Sequence, residues 1–302
     1  MAIVSVHNLK KSYGKVVALR GLTFDVGEGE IYGIIGPDGA GKTTLFRILT
    51  TLLLANEGTA EVGGCDVVRD YKQIRRIIGY MPGRFSLYQD LTVKENLKFF
   101  ASIFNTTIDE NYALIEDIYI QLKPFEKRRA GKLSGGMKQK LALCCALIHS
   151  PKILFLDEPT TGVDPVSRKE FWDMLKRLKE RGITILVSTP YMDEAVQCDR
   201  IALIQNGSFL QVNTPQNIID GYSDTLLSVK SGNMHKLLGD LHECKLVKSS
   251  FSFGETYHVN IVDGTSVGEL REYLTSRGHE SVEIDEIAAS IEDCFMLLMR
   301  QK

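Results

Sequence analysis

The stretch Gly36-Pro37-Asp38-Gly39-Ala40-Gly41-Lys42-Thr43-Thr44 has residue types and spacing suited to phosphate chemistry. Gly36, Gly41, Lys42 and Thr43 fit the pattern G-x-x-x-x-G-K-[ST], in which bare backbone wraps a polyphosphate. Glycine lets the chain approach the phosphate oxygens closely and adopt positive φ where a turn needs it. Successive N–H groups then point at the anion. Lys42 would reach the terminal phosphates, and the Thr43 hydroxyl would ligate Mg²⁺. A Gly-rich turn fitting by accident is the plain alternative, but it leaves the flanks unexplained. Glu30–Ile35 reads as a buried strand before the loop, and Thr44–Thr50 as a helix whose N-terminus faces the anion.

Three further groups carry chemistry. Ile153-Leu154-Phe155-Leu156 reads as a strand buried on both faces. It delivers Asp157 and Glu158 at its C-terminal end, where α/β sheets bind ligands. Asp157 suits Mg²⁺ held through water, and Glu158 suits a general base acting on a water molecule. Two charges ending a strand are common, but beside a phosphate loop they gain a use. Ser134-Gly135-Gly136, within Leu133–Met137, puts a hydroxyl and bare backbone at the start of a helical run to Ile148. That is a second anion site or a simple N-cap followed by flexible glycines. Tyr13, in Lys11-Ser12-Tyr13-Gly14, reads equally as an aromatic plate for a purine base or as a turn tyrosine.

The elements that must position these groups follow the chain. Ala2–Leu9 alternates and is expected as an edge strand. Val16–Val26 gives two β segments broken at Arg20-Gly21. Asn56-Glu57-Gly58 marks a turn, and Thr59–Val68 a strand pair. Arg76–Met81 reads as a core strand stopped by Pro82. Thr92-Val93-Lys94-Glu95 is a capping box, and Arg84–His149 is mostly helical, a subdomain of its own. Pro159–Pro165 is a loop holding Asp164, with Ser167 as the expected cap of the next helix, which Gly182 ends. Ile183–Ser188 is another buried strand, followed by a helix with Thr189 at N-cap and Pro190 at N1. Asp199–Leu210 is a hairpin closed at Asn206-Gly207. Alternating βα units around a phosphate loop mean an α/β domain with a largely parallel sheet.

The bulk numbers permit one large domain or two smaller ones in 302 residues. With 44% hydrophobic and 25% charged residues the chain is ordinary globular material. A formal charge of −2 makes no electrostatic case for a nucleic-acid partner. The cysteines at 65, 144, 145, 198, 244 and 294 form no C-x-x-C, so buried thiols are expected rather than a zinc site or disulfides. Met1–Val6 is strand-like and too short for a signal sequence. No uncharged apolar run approaches the ~18 residues of a membrane span. A soluble protein is expected, with any membrane association through a partner.

Taken together, Tyr13, Gly36–Thr44, Leu133–Met137, Ile153–Glu158 and Asp164 resemble, in order and spacing, the nucleotide-binding subunit of an ATP-binding-cassette (ABC) transporter over about Ile3–Asn217. The phosphate loop alone says NTPase, and Leu-Ser-Gly-Gly narrows it. The resemblance implies a P-loop NTPase ABC ATPase domain, residues 1–220, with its helical subdomain at about 84–150. It also implies ATP and Mg²⁺ as ligands, and two such domains packed head to tail as a homodimer or an asymmetric heterodimer. ATP would lie between Gly36–Thr44 of one and Ser134–Gly136 of the other, with Asp164 linking the two sites. Membrane-spanning permease subunits would be driven from the cytoplasmic face, contacted by the segment from Gly83 onward. A soluble ATPase of this family acting on nucleic acid or a ribosome usually has two cassettes or coiled-coil insertions, which this chain lacks. A kinase or GTPase gives no reason for Leu133–Met137. Two departures matter. The family normally has Gln after Tyr80-Met81-Pro82, and here it is Gly83, with Gln89 out of register. It normally has His after Ser188-Thr189, and here it is Pro190. Removing a positioned transition-state donor costs ~3–4 kcal/mol, hundreds-fold in rate, so slow hydrolysis at this chain's own site is expected.

Beyond Gly221 the order strand, helix, strand, strand, helix, strand, over 221–302, reads as a small α+β, ferredoxin-like unit. Ser266 caps its second helix, and an amphipathic helix, Ser290–Arg300, closes the chain. Export types of the family often end in such a piece with a motif like Ser290-Ile291-Glu292-Asp293, so export and a dimerisation or regulatory role are expected. His235, His242, His258 and His279 lack metal spacing and are expected as solvated surface side chains.

Overall fold

The computed structural model describes residues 2–300. Strands β1 (Ala2–Tyr13) and β2 (Val16–Gly27) form a long antiparallel ribbon. Strand β3 (Ile31–Ile35) leads through the phosphate loop into α1 (Lys42–Leu49). Strands β4 (Glu57–Val62) and β5 (Cys65–Asp66) precede α2 (Tyr71–Ile77) and β6 (Ile78–Met81). Helices α3 (Val93–Ile103), α4 (Tyr112–Leu122) and α5 (Gly135–Leu147) follow, α5 packing against both of the others. Strand β7 (Ile153–Asp157), helix α6 (Pro165–Glu180) and strand β8 (Thr184–Thr189) return to the sheet, which β9 (Arg200–Gln205) and β10 (Ser208–Asn213) complete.

Two sheets result. One has the order β2-β1-β4-β5, and the other, six-stranded, β10-β9-β3-β8-β7-β6. In the second, β9, β3, β8, β7 and β6 all run parallel. β3, β7 and β8 are buried at every position, as a strand covered on both faces must be. Phe46 of α1 meets Phe155 of β7 edge to face at 5.8 Å, within a core that also holds Val4, Val6 and Leu22 of the ribbon.

Several expectations are corrected. β1 is not an edge strand: it pairs with β2 on one side and β4 on the other, Val6 facing both Phe24 and Ala60. Alternation reports one buried face and is silent about how many neighbours a strand has. β2 is continuous through Gly21, whose φ of 99° carries an irregularity in the ribbon. Glu57 and Gly58 already belong to β4, and Arg76 and Ile77 to α2. Asp164, not Ser167, caps α6, accepting from the Ser167 N–H at 3.0 Å with Pro165 at the first helical position. No helix starts at Thr189-Pro190. Thr189 ends β8, and a 3-10 turn begins at Met192. Thr92 and Ser266 do form capping boxes, and Asn206 and Gly207, at φ 48° and 78°, close the β9–β10 hairpin. The cysteines at 144, 145, 198, 244 and 294 are buried and free, and Cys65 is half-buried.

The chain divides between Pro215 and Gln216, inside helix α7 (Pro215–Asp220) and slightly before the expected junction. The second unit contains β11 (Leu226–Lys230), α8 (Met234–Glu243), β12 (Val247–Phe253), β13 (Thr256–Ile261), α9 (Val267–Ser276), β14 (Glu283–Glu286) and α10 (Ile291–Arg300). Its antiparallel sheet has the order β12-β13-β11-β14, with β13 between the two strands that α8 connects, the split βαβ arrangement. Two of its histidines are not solvated. His258 Nδ1 lies 2.7 Å from Asp293 Oδ1, with the ring stacked on Phe253. His279 bridges Ser231 Oγ at 3.0 Å and Asp240 Oδ2 at 2.8 Å. No described helix is long and apolar enough to cross a membrane.

His149, just after α5, stacks on Phe104 at 3.7 Å, and its Nε2 lies 2.9 Å from the Ile78 carbonyl oxygen. Burial pushes its pKa below the ordinary 6.5. The unfolded chain therefore takes up this proton at a higher pH than the folded one. The resulting stability is complete above about pH 6.5 and is lost as pH falls below it. His149→Gln, which retains a donor for Ile78, should shrink the drop in thermal midpoint between pH 7.5 and pH 5.5. The comparison is one of melting curves for the two proteins.

Candidate functional site

β8 lies between β3 and β7, so its last two residues touch both chemical edges of the sheet. The Gly36 N–H donates to the Thr189 carbonyl at 3.2 Å, and the Glu158 N–H donates to the Ser188 carbonyl at 3.0 Å. The Ser188 hydroxyl donates to Asp157 Oδ1 at 2.7 Å, and its oxygen lies 3.1 Å from the Glu158 nitrogen. Glu158 is thereby held at φ 50°, a left-handed conformation a glutamate does not adopt without such support.

The loop after β3 is shaped by packing as well as by its ligand chemistry. A Cβ on Gly36 would stand 2.1 Å from the Ile204 carbonyl of β9, so this glycine answers to the neighbouring strand. Gly39 and Gly41 take φ of 78° and 108°, and Gly41 also leaves room for the Ala18 carbonyl. Asp38 is exposed and Ala40 buried, with Thr43 and Thr44 half-buried in the first turn of α1. Lys42 is 3% exposed. Its ammonium donates to the Gly36 carbonyl at 2.7 Å and the Pro37 carbonyl at 3.0 Å, and pairs with Glu158 Oε1 at 3.1 Å. Lys42 and Glu158 thus meet at the loop, and Asp157, one residue earlier, is held by Ser188.

Among the described residues no cluster of three or more His, Cys, Asp or Glu could cage a metal. Thr43 and Asp157 carry oxygens of the hard kind that could hold Mg²⁺, a cation that commonly completes its shell with phosphate oxygens and water. Tyr80, on β6, has its pKa pushed up to about 12 by burial and then by the negative Asp157. Gly83 reaches the same edge: a Cβ there would stand 3.0 Å from the Asp157 carbonyl oxygen.

A second group forms elsewhere. Ser134 caps α5, its oxygen 3.4 Å from the Met137 nitrogen. A Cβ on Gly135 would lie 3.5 Å from the Gly162 carbonyl, and one on Gly136 3.1 Å from Ser167 Oγ. Ser134–Gly136 therefore lie against the loop that carries Asp164. The Ser167 N–H holds the Asp164 carboxyl below the usual carboxylate range. Among the described residues no hydrogen bond or ion pair joins Ser134, Gly135, Gly136 or Asp164 to Lys42 or Glu158, although the Thr161 N–H of the Asp164 loop donates to the Glu158 carbonyl at 3.3 Å. Tyr13 stands apart from both, at the end of β1 and 47% exposed, with the Lys11 ammonium 5.6 Å from its ring centre. Sequence reasoning missed Ser188. Ser188 carries no motif, and its role follows from which strands are neighbours.

Residues 19–161 match the family model described as ABC transporter. Over 99% of its length the chain is 37% identical to the probable multidrug ABC transporter ATP-binding protein YbhF of Escherichia coli (strain K12). It spans 52% of that protein, about half its length. Over 99% of its length it is also 33% identical to the Nod factor export ATP-binding protein I of Burkholderia orbicola (strain AU 1054), 97% of which it covers. The chain belongs to the ABC transporter ATP-binding family. Among solved structures, cbiO1 from Clostridium perfringens, part of an ABC transporter complex, superposes with a TM-score of 0.65 at 25% identity, over 73% of this chain and 91% of that one. A dimeric bacterial ABC transporter cassette gives 0.64 at 26% identity, over 70% and 98%. The α/β unit is thus an ABC ATPase cassette of the P-loop NTPase class.

Within this cassette, Ser188→Ala would remove a hydrogen bond to a carboxylate that is 2% exposed. Such bonds contribute about 1.5–3 kcal/mol. Urea denaturation should show a loss of that order.

Proposed function

We propose that this chain is the ATP-hydrolysing subunit of an exporter, held on the cytoplasmic face of the membrane by permease subunits. The observation that carries this is the Lys42–Glu158 pair at the Gly36–Thr44 loop, with Asp157 held by Ser188 one residue before Glu158. Backbone N–H groups of the loop and the N-terminus of α1 receive the phosphates. The Lys42 ammonium, now on the Gly36 and Pro37 carbonyls, passes to phosphate oxygens. Thr43 and Asp157 would hold Mg²⁺, which when bound offsets charge developing on the transferred phosphoryl group. Glu158 accepts a proton from the attacking water. Tyr13 offers its exposed ring to the base.

The site is completed by a second ATP-binding subunit, whose Ser134–Gly136 would close over the nucleotide while Asp164 links the two sites. A solved relative of this cassette is dimeric, which supports the pairing. Gly83 and Pro190 put no side-chain donor beside Asp157 or beyond Thr189, so hydrolysis here is slow while binding is retained. An asymmetric pair follows, in which this subunit holds ATP and lends Leu133–Met137 to a faster partner. The relative named for Nod factor export, beside one named for a multidrug ABC transporter, favours export, with the cargo chosen by the membrane subunits.

For the membrane partner, the segment around Gly83 borders a mostly apolar cavity of about 380 Å³, lined by Leu52, Tyr80, Met81, Leu87, Phe100 and Phe104. Leu52 and Ile103 at its rim are 57% and 54% exposed. Such a groove suits the apolar face of a short helix, here assigned to the permease.

Single-turnover hydrolysis by the purified chain should be slow and should rise at least tenfold in the double variant Gly83→Gln, Pro190→His. Fast hydrolysis by the unmodified chain alone would overturn the slow-site reading. Ile103→Glu should reduce co-purification with the permease at least severalfold while leaving nucleotide affinity unchanged, read by pull-down and fluorescent-nucleotide titration.

A further inference from the structure

We infer that Glu194 and Arg168 are positioning residues for the phosphate loop, acting through Thr189; the inference rests on the ATPase reading above. Glu194 is 4% exposed, and a buried carboxylate is costly unless its oxygens are partnered. One oxygen accepts from the Thr189 hydroxyl at 2.6 Å, short as charge-assisted bonds are. The other, Oε1, accepts no hydrogen bond, and the Arg168 guanidinium stands 3.9 Å from it. Arg168 also lies 4.8 Å from the Tyr191 ring and 3.5 Å from the exposed Asp193 carboxylate. The Thr189 oxygen in turn accepts from the Tyr191 N–H at 3.1 Å. The segment Thr189–Tyr191 is therefore gripped at both ends by one acid and one base.

What this segment holds gives the grip its use. The Thr189 carbonyl accepts from Gly36, the first residue of the phosphate loop. Arg168 belongs to the first turns of α6, the helix that Asp164 caps. A path then runs from Asp164 through Arg168, Glu194 and Thr189 to Gly36, bonded at each step except the 3.9 Å gap between Arg168 and Glu194. Closing Arg168 by about 1 Å would complete a charge-assisted bond to Oε1, so displacement of the α6 end is felt at the cradle. Pro190 has no side-chain donor of its own, which leaves the placement of this segment to its neighbours. The bland alternative is that Glu194 merely closes a local turn. It explains the Thr189 bond but neither the unpartnered Oε1 nor the arginine beside it.

The test uses the full chain with Glu194→Gln, Arg168→Ala, Arg168→Lys and the double variant Glu194→Gln, Arg168→Ala. Three readouts are taken: hydrogen exchange at the Thr189 and Tyr191 amides, single-turnover ATP hydrolysis, and fluorescent-nucleotide affinity. We expect each of Glu194→Gln and Arg168→Ala to raise exchange at Tyr191 at least fivefold, weaken nucleotide affinity at least threefold and slow hydrolysis at least fivefold. The double variant should be no worse than either single one, and Arg168→Lys should recover part of the loss. Unchanged exchange at Tyr191, or effects that multiply in the double variant, would overturn the inference. If the unmodified chain bound nucleotide but hydrolysed none, the ATPase reading would fail, while the exchange data would still decide the path.

Discussion

The chemistry of this cassette depends on where β8 ends. A parallel sheet offers its C-terminal edge to ligands, but the edge is useful only if neighbouring strands stop in register. Ile35 of β3 and Asp157 of β7 both lie opposite the last two residues of β8. Ser188 and Thr189 therefore hold the carboxylate pair on one side and the start of the phosphate loop on the other. Both positions are fully buried, so the bonds they make are not in competition with water.

That constraint also explains which glycines the loop needs. Gly36 lies so close to the Ile204 carbonyl of β9 that any side chain would push the two strands apart. Gly41 likewise yields to Ala18 on the ribbon, and Gly207, in the hairpin turn, faces the same carbonyl. The pattern that reads as a phosphate motif is thus also a record of three elements meeting at one corner. Chemical and packing demands coincide at these positions, so substituting one of these glycines disturbs both together.

Much of this was legible in the residues. The strand, loop and helix around Gly36–Thr44, the buried run ending in Asp157 and Glu158, and the capping boxes at Thr92 and Ser266 are local patterns with local causes. What escaped depends on neighbours distant in sequence. The central place of β1 rests on pairing with β4, and that of Ser188 on β8 lying beside β7. Asp164 and Ser167 are both capping types, and the proline after Asp164 decides between them. His258 and His279 looked like surface residues because Asp293 and Asp240, their partners, lie 35 and 39 positions away. In the second unit each of these pairs ties a helix to the rest of the fold: α10 to β13 through His258, and α8 to the chain after α9 through His279.

The two departures from the family pattern fall outside the set of bonds that β8 makes. Gly83 adds only backbone beside Asp157, and Pro190 follows the last strand residue without entering the ladder. Lys42, Ser188, Thr189 and the carboxylates keep their mutual geometry without either position contributing a side chain. Under the proposed reading, affinity for a triphosphate and the speed of its hydrolysis are therefore separable in this subunit. Affinity belongs to the loop and the sheet edge, which are intact. Speed depends on donors at the γ-phosphate, which act only in the transition state. A subunit built this way loses turnover before it loses its grip on nucleotide, which is the property an asymmetric pair requires of its slower member.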